Sequence, residues 1–238
     1  MAALRHTHPK RSKTTVHKPS RPEDLEHPDR IWARALTFFL LDASCGGETS
    51  GFSEKWMEFS TGAGWWWVER FDGDRAMFAG GASRGNNTPA DGRQIDLISG
   101  GPDWLPKELL REEAGRDGIG FLYWWEDDAW HRVPYPEELR EDHLDVAAPW
   151  LNSEEEFHGQ AEDLLQYEYM TVAQVEVLEA ECTRFRELAE RRAVDEAAVT
   201  GLLAAAWPEG TEGMDPEHLP ACLDLAARAG VTGSPARA

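Results

Sequence analysis

The run Trp65-Trp66-Trp67-Val68-Glu69-Arg70 leads through Phe71-Asp72-Gly73-Asp74 into Arg75-Ala76-Met77-Phe78-Ala79. An Asp-Gly pair between aromatic or β-branched runs marks a hairpin, because glycine accepts the positive φ of a type I′ turn at no steric cost. A second passage repeats the design. Gly120-Phe121-Leu122-Tyr123-Trp124-Trp125 is followed by Glu126-Asp127-Asp128-Ala129 and by Trp130-His131-Arg132-Val133, with Pro134 and Pro136 ending it. Each reads as an aromatic strand, an acidic turn and a shorter strand carrying an arginine. Seven of the eleven tryptophans fall between residues 64 and 136, so the rest of the chain is organised around this stretch.

Side chains alternate across a strand, which puts Trp66, Val68 and Arg70 on one face and Trp65, Trp67 and Glu69 on the other. Neither face is purely polar, so both faces of the sheet are expected to be covered. The two hairpins match in pattern rather than in identity, and two hairpins of a single sheet account for that as well as an internal repeat does. The fold class that follows is α+β: an antiparallel, aromatic-rich sheet flanked by helices, followed by a C-terminal helical segment.

Outward from the hairpins, the helices announce themselves by caps and spacing. Asp29, after Pro28, is placed to cap a helix over residues 30–42, with Ile31, Ala35, Leu36 and Phe39 on one stripe and Gly46-Gly47 as its stop. The spacing of Phe52, Trp56 and Phe59 predicts a short helix. Residues 80–89, Gly-Gly-Ala-Ser-Arg-Gly-Asn-Asn-Thr-Pro, read as loop. They carry a Gly-x4-Gly spacing, but Asn86-Asn87 stand where a phosphate-binding loop needs Lys and Ser or Thr, so a nucleotide site of that type is rejected. Residues 94–98 suggest a strand, and residues 103–113 a helix with Pro106 in its first turn. Ser153 with Glu156 and Thr171 with Gln174 are capping boxes that open two more helices. In the first, Phe157, Ala161, Leu164 and Leu165 face inward. In the second, Val175, Leu178, Cys182, Phe185 and Ala189 recur at spacings of three and four, the seam of a helix laid against another helix. Asp195 caps a further helix ending before Pro208 and Gly210, and a last one ends at Gly230.

The formal charge is −20, and residues 1–22 hold six Lys or Arg and no acid, so the remainder carries −26 by subtraction. A field of that sign repels nucleic acid and attracts basic surfaces. Three dispersed cysteines, Cys45, Cys182 and Cys222, suggest neither a disulfide framework nor a zinc site and fit a reducing cytoplasm. The one strongly apolar run, residues 35–43, is too short to span a bilayer. Scarce lysine beside abundant arginine, alanine and glycine fits a GC-rich bacterial genome. The organisation read from these features is a disordered basic arm over 1–22, an α+β sheet domain over 23–148, a helical segment packed on it over 149–232, and a disordered tail over 233–238.

Several residue groups carry potential chemistry. Glu154, His158 and Glu162 share a helix face, and Glu155-x-x-His158 has the spacing of di-iron carboxylate bundles. The partner motif is reduced to Asp215-x-x-His218, and acids at a helix start are ordinary. Glu126, Asp127, Asp128 and His131 gather at one hairpin end, as Asp72 and Asp74 do at the other. Oxygen ligands so placed suit a hard cation, with Asp127, Asp128 and His131 the weak metal candidates, or a paired acid and base. Aspartates are equally common in turns because they hydrogen-bond their own backbone. Cys45 precedes Gly46-Gly47 without any nucleophile signature, and Ser44, Ser60 and Ser83 lie in no Gly-x-Ser-x-Gly elbow. No cofactor is implied.

Tryptophan is the informative excess. Indoles ringed by acids act as anchors in protein recognition, which makes Trp65, Trp67, Trp104, Trp124 and Trp130, with Glu126, Asp127 and Asp128, the candidate partner-binding set. Tryptophans serving only as core are the competing account. The expectation is a cytoplasmic, non-enzymatic protein-binding module that engages a basic protein and neither nucleic acid nor membrane. Acidic, tryptophan-rich α+β composition is shared with bacterial immunity proteins that neutralise basic nucleases, a likeness of charge and class and of no motif. A hydrolase using the acidic hairpin ends and an oligomerising protein using the seam of residues 172–192 are the alternatives. The seam is expected to dock within its own chain, leaving a monomer, because Cys182 and Ala189 pack poorly in a free-standing coiled coil.

Overall fold

The computed structural model describes residues 16–47, 51–53, 55–60, 64–71, 74–82, 95–151, 153–165, 170–208 and 218–232. Their order is α1 (Pro28–Ser44), β1 (Trp56–Ser60), β2 (Gly64–Phe71), β3 (Arg75–Ala82), α2 (Lys107–Arg116), β4 (Phe121–Glu126), β5 (Ala129–His131), α3 (Leu144–Ala147), α4 (Glu154–Leu165), α5 (Val172–Glu190), α6 (Glu196–Ala206) and α7 (His218–Arg228). The five strands form one antiparallel sheet in sequence order, β1-β2-β3-β4-β5. Alternation sends each strand's side chains into two separate cores. Trp66, Val68, Phe78, Phe121 and Tyr123 join the main core with the helices. Trp65, Trp67, Met77, Ala79 and Leu122 pack under the segment that contains Leu97, Ile98, Leu105, Leu110 and Ile119. The sheet is therefore covered on both faces, and the α+β class holds.

The two hairpins close differently. Glu126 pairs with Ala129, leaving Asp127 and Asp128 as a two-residue turn in which both take positive φ, 52° and 58°. That is the type I′ conformation, carried by aspartates because a short polar side chain tolerates the left-handed region. In the other hairpin Phe71 pairs with Arg75, so three residues link the strands and Asp74 takes a φ of 58°. A two-residue Asp-Gly turn is thus replaced by a longer link; Asp72 and Gly73 lie outside the described residues. β3 runs past Ala79 to Ala82, taking in Gly80-Gly81 from the stretch read as loop. A Cβ at Gly80 would stand 2.5 Å from the Trp65 carbonyl oxygen and the Phe121 ring, so only glycine lets the strands close there.

Helix α1 begins two residues earlier than its sequence suggests. His27 is the cap, its Nδ1 accepting from the Asp29 N–H at 3.2 Å, and Pro28 fills the first helical position, where its missing N–H costs nothing. Gly46, at φ 81°, ends it. In place of one apolar stripe, 14 of its 17 residues are buried, because the sheet covers one side and α4, α5, α6 and α7 cover the others. Phe39 meets Trp66 edge-on at 6.0 Å, and the Trp32 indole N–H donates to the Ala229 carbonyl.

Three further expectations are corrected. Trp56 and Phe59 lie in strand β1, and Phe52 bridges to Met57, so an aromatic spacing of three and four here does not mean helix. Residues 95–98 are not a strand; Asp96 Oδ1 accepts from the Ile98 and Ser99 N–H groups and turns the chain. The helix read over 103–113 is α2, with Pro106 as its N-cap residue rather than inside its first turn. Ser153 caps its helix, its Oγ accepting from Glu156 N at 3.1 Å, and Thr171 and Gln174 satisfy each other in a full capping box. Asp195 Oδ1 caps α6 through Ala198 N. Leu178, Cys182, Phe185 and Ala189 are buried in this chain's own core, where α5 meets α1 and α6. The start of the last helix, with Pro216, lies outside the described residues.

The N-terminal arm divides. Residues 1–15 and the tail 233–238 are outside the described residues, whereas residues 16–22, read from sequence as disordered, are docked. Val16 is buried, and Ser20 donates its hydroxyl to Asp142 and lies 2.7 Å from the Tyr123 hydroxyl. Lys18 pairs with Glu141 and Asp145, each at 2.7 Å. Among the described residues no helix is long and apolar enough to cross a membrane.

Candidate functional site

Both hairpin tips point to the same end of the sheet, because β2 and β4 run in parallel and β3 joins them. They also stand side by side, since Ala76 of β3 pairs with Trp125 of β4. On the face away from the main helices, alternation brings Glu69 and Phe71, Arg75, Trp124 and Glu126, and His131 to this end, with Trp56 beside them on β1. Trp104, from the turn before α2, lies across the tips with its ring 5.1 Å from Phe71. Arg75 joins the two hairpins: its Nε is 3.2 Å from Glu126 Oε1, and its guanidinium lies 5.5 Å from the centre of the Trp104 ring. Trp124 and His131 stack at 6.2 Å with 22° between their planes.

The result is a half-buried aromatic platform, formed by Trp56, Phe71, Trp104 and Trp124, bordered by the exposed turn acids Asp74, Asp127 and Asp128. Trp104 buries its indole nitrogen, which meets no acceptor among the described residues, so what it presents to solvent is hydrocarbon and π-face. On β2, opposite Trp56, burial pushes the Glu69 carboxyl up to about 7, against an opposing pull from Lys55. A flat π surface next to carboxylates attracts planar or compact cations: the ring quadrupole and the acids act on the same charge.

Of the residues singled out from sequence, Trp104, Trp124, Glu126, Asp127, Asp128 and His131 meet at this end. Trp65, Trp67 and Trp130 do not serve as surface anchors; all are at most 5% exposed and belong to the cores. Trp65 donates its indole N–H to the Gly118 carbonyl and Trp130 to that of Glu26, so their polar edges are used internally. Arg75, Glu69, Phe71 and Trp56 were not singled out. The period of two that starts at Trp65 and Trp67 reaches Glu69 and Phe71, and so carries the signal that finds them.

The other candidates resolve as structure. Glu154 is taken by two arginines, with Arg34 Nη2 at 2.7 Å and Arg186 Nη1 and Nη2 at 3.0 and 2.5 Å, while His158 Nδ1 lies 3.3 Å from Glu179. Glu154, which shares a face with His158, is thus engaged by cations of α1 and α5, whereas Glu155 of the Glu155-x-x-His158 spacing is exposed. Among the described residues no group of three or more His, Cys, Asp or Glu is placed to hold a metal ion, Asp127, Asp128 and His131 included. Cys45 is exposed at the end of α1, but partial burial, a Ser44 hydrogen bond opposing it, and the nearby Asp42 charge leave its thiol raised, which makes it a poorer nucleophile. No family model, curated protein or solved structure matches the chain.

Proposed function

We propose that this chain is a protein-binding module and that the hairpin end of its sheet is the surface that engages a basic protein. The observation that carries the reading is the convergence of two acidic hairpin tips on half-buried Trp104 and Trp124. Indoles of this kind supply contact area at low conformational cost, and a rim of acids steers a basic partner while excluding acidic ones. The net charge of −20 works in the same direction over longer range. A partner-neutralising role of the immunity type belongs within this reading.

The test uses the full chain and a fluorescein-labelled nona-arginine peptide as probe, with the association rate followed across ionic strength. Asp127→Asn with Asp128→Asn removes two charges while keeping the left-handed turn, which asparagine tolerates as well as aspartate does. The association rate is expected to fall steeply as salt rises, since exposed charges are screened beyond a Debye length of about 8 Å at physiological ionic strength. The double variant is expected to associate several-fold more slowly at low salt and to converge with the parent at high salt. A salt-insensitive rate, or a double variant that binds like the parent, refutes the reading. A thermal shift with millimolar Mg²⁺, Mn²⁺ or Ca²⁺ that the double variant loses favours the metal-dependent hydrolase instead.

A further inference from the structure

Arg75 is the first residue of β3 and stands between the two hairpin tips. Its guanidinium faces the Trp104 ring at 5.5 Å and meets the Glu126 carboxylate at 3.2 Å, and its side chain is 42% exposed. An aromatic face with a carboxylate at its edge is a complete recognition unit for guanidinium, which stacks by its plane and donates by its fork. Contacts at this level of exposure are weak and exchange readily with solvent. The site therefore displays its own ligand chemistry while holding that ligand loosely.

Resting on the reading of this end as a partner surface, we propose that Trp104 and Glu126 form a seat for an arginine side chain of the partner, and that Arg75 fills the seat until that arginine replaces it. Lysine fits less well: an ammonium has no plane to lay on the indole and is more strongly hydrated. Asp74, Asp127 and Asp128 concentrate basic segments at the seat without choosing between the two residue types. Arg75 then acts as an internal competitor, and the affinity for an incoming arginine is lowered by the fraction of time that the seat is filled.

The experiment compares nona-arginine and nona-lysine binding to the parent chain, Arg75→Lys, Arg75→Gln, Trp104→Ala and Glu126→Gln, each checked for native melting and circular dichroism. Arg75→Lys keeps the charge and removes the stacking plane, so it separates vacancy of the seat from electrostatics. Arg75→Gln makes the surface more acidic and alone would raise binding of both peptides alike. The readout is the ratio of arginine to lysine affinity. It is expected to rise roughly three- to tenfold in both Arg75 variants, as removing a competitor that fills the seat most of the time requires. It is expected to fall toward one in Glu126→Gln and Trp104→Ala; Glu126→Gln carries the test if Trp104→Ala does not fold. A ratio unchanged in both Arg75 variants overturns the seat, even where parent binding is salt-dependent and the partner surface stands. Conversely, arginine-selective binding that appears only in the Arg75 variants, with a parent that binds neither peptide, supports the seat and removes the support for the broader partner surface.

Discussion

Replacing Glu154 by glutamine tests what holds α4 against α1 and α5. Its carboxylate receives three hydrogen bonds, one from Arg34 and two from Arg186. The two arginine side chains are only 11% and 7% exposed, so neither recovers full hydration once the carboxylate is gone. Arg34 keeps Glu26 at 3.1 Å and the Trp150 carbonyl, whereas Arg186 keeps the Cys182 carbonyl, the Thr183 hydroxyl and the face of Phe157. Removing one partner of a buried pair costs about 3 to 5 kcal/mol. Glu154 itself is 40% exposed, and discounting for solvent screening leaves about 2 to 3 kcal/mol, a visible fraction of an ordinary domain's stability. The pH dependence supplies a second check. Burial works against the Glu154 charge, but the Arg186 hydrogen bonds and the Arg186 and Arg34 charges outweigh it and hold the carboxyl below its ordinary 4.5. A lowered native value means that the stabilisation is present above the unfolded-state value and is lost as pH falls through the native one. Urea unfolding followed by tryptophan fluorescence should therefore show a gap between parent and Glu154→Gln that is full at pH 7 and closes below pH 4.5. A variant as stable as the parent at pH 7, or a gap that does not change with pH, refutes the reasoning.

Two further outcomes follow from the packing. Phe185→Ala should cost about 3 to 5 kcal/mol, the transfer energy plus the cavity, and the loss measured in melts should not depend on protein concentration, because the ring is fully buried inside its own chain. Glu69→Gln should stabilise the protein at pH 8 and leave it unchanged at pH 4. The raised Glu69 value lets the folded state hold its proton more tightly, so stability falls as pH rises from the ordinary 4.5 to about 7, and a glutamine that never ionises avoids that loss. The gain is on the order of 1 kcal/mol after discounting for partial exposure, and equal gains at both pH values would contradict it.

The elements legible in the sequence are those whose signal is local. The caps at Ser153 and Asp195 and the capping box at Thr171 depend on residues three apart, and they hold. The hairpins were legible because turn acids and aromatic runs are neighbours in the chain. What sequence does not carry is which surface meets which. Trp56 and Phe59 lie on opposite faces of β1, one to each core, and a spacing of three fits that alternation as well as it fits a helical turn. Residues 16–22 lack apolar bulk and dock through Ser20 onto Asp142, a partner 122 residues away that no local pattern foretells. Trp65 and Trp67 are as aromatic as Trp104 and Trp124, and only the segment around Leu105 and Leu110 decides that the first pair is sealed and the second half open.

Helix α1 is the hub of the main core, and its position sets a timetable for synthesis. Trp32 finds its hydrogen-bond acceptor at Ala229, 197 residues downstream, and the Leu40 carbonyl meets the Cys222 thiol 182 residues downstream. At about 5 to 20 residues per second, a ribosome takes roughly ten to forty seconds to deliver those partners. The cover over Phe38, Phe39, Leu40 and Leu41 is therefore built in stages, from the sheet through α4, α5 and α6, and is complete only when α7 has been made. A chain that stops before α7 leaves uncovered the side of α1 that meets Cys222 and Ala229, an apolar surface of the kind that makes partly folded chains prone to aggregation.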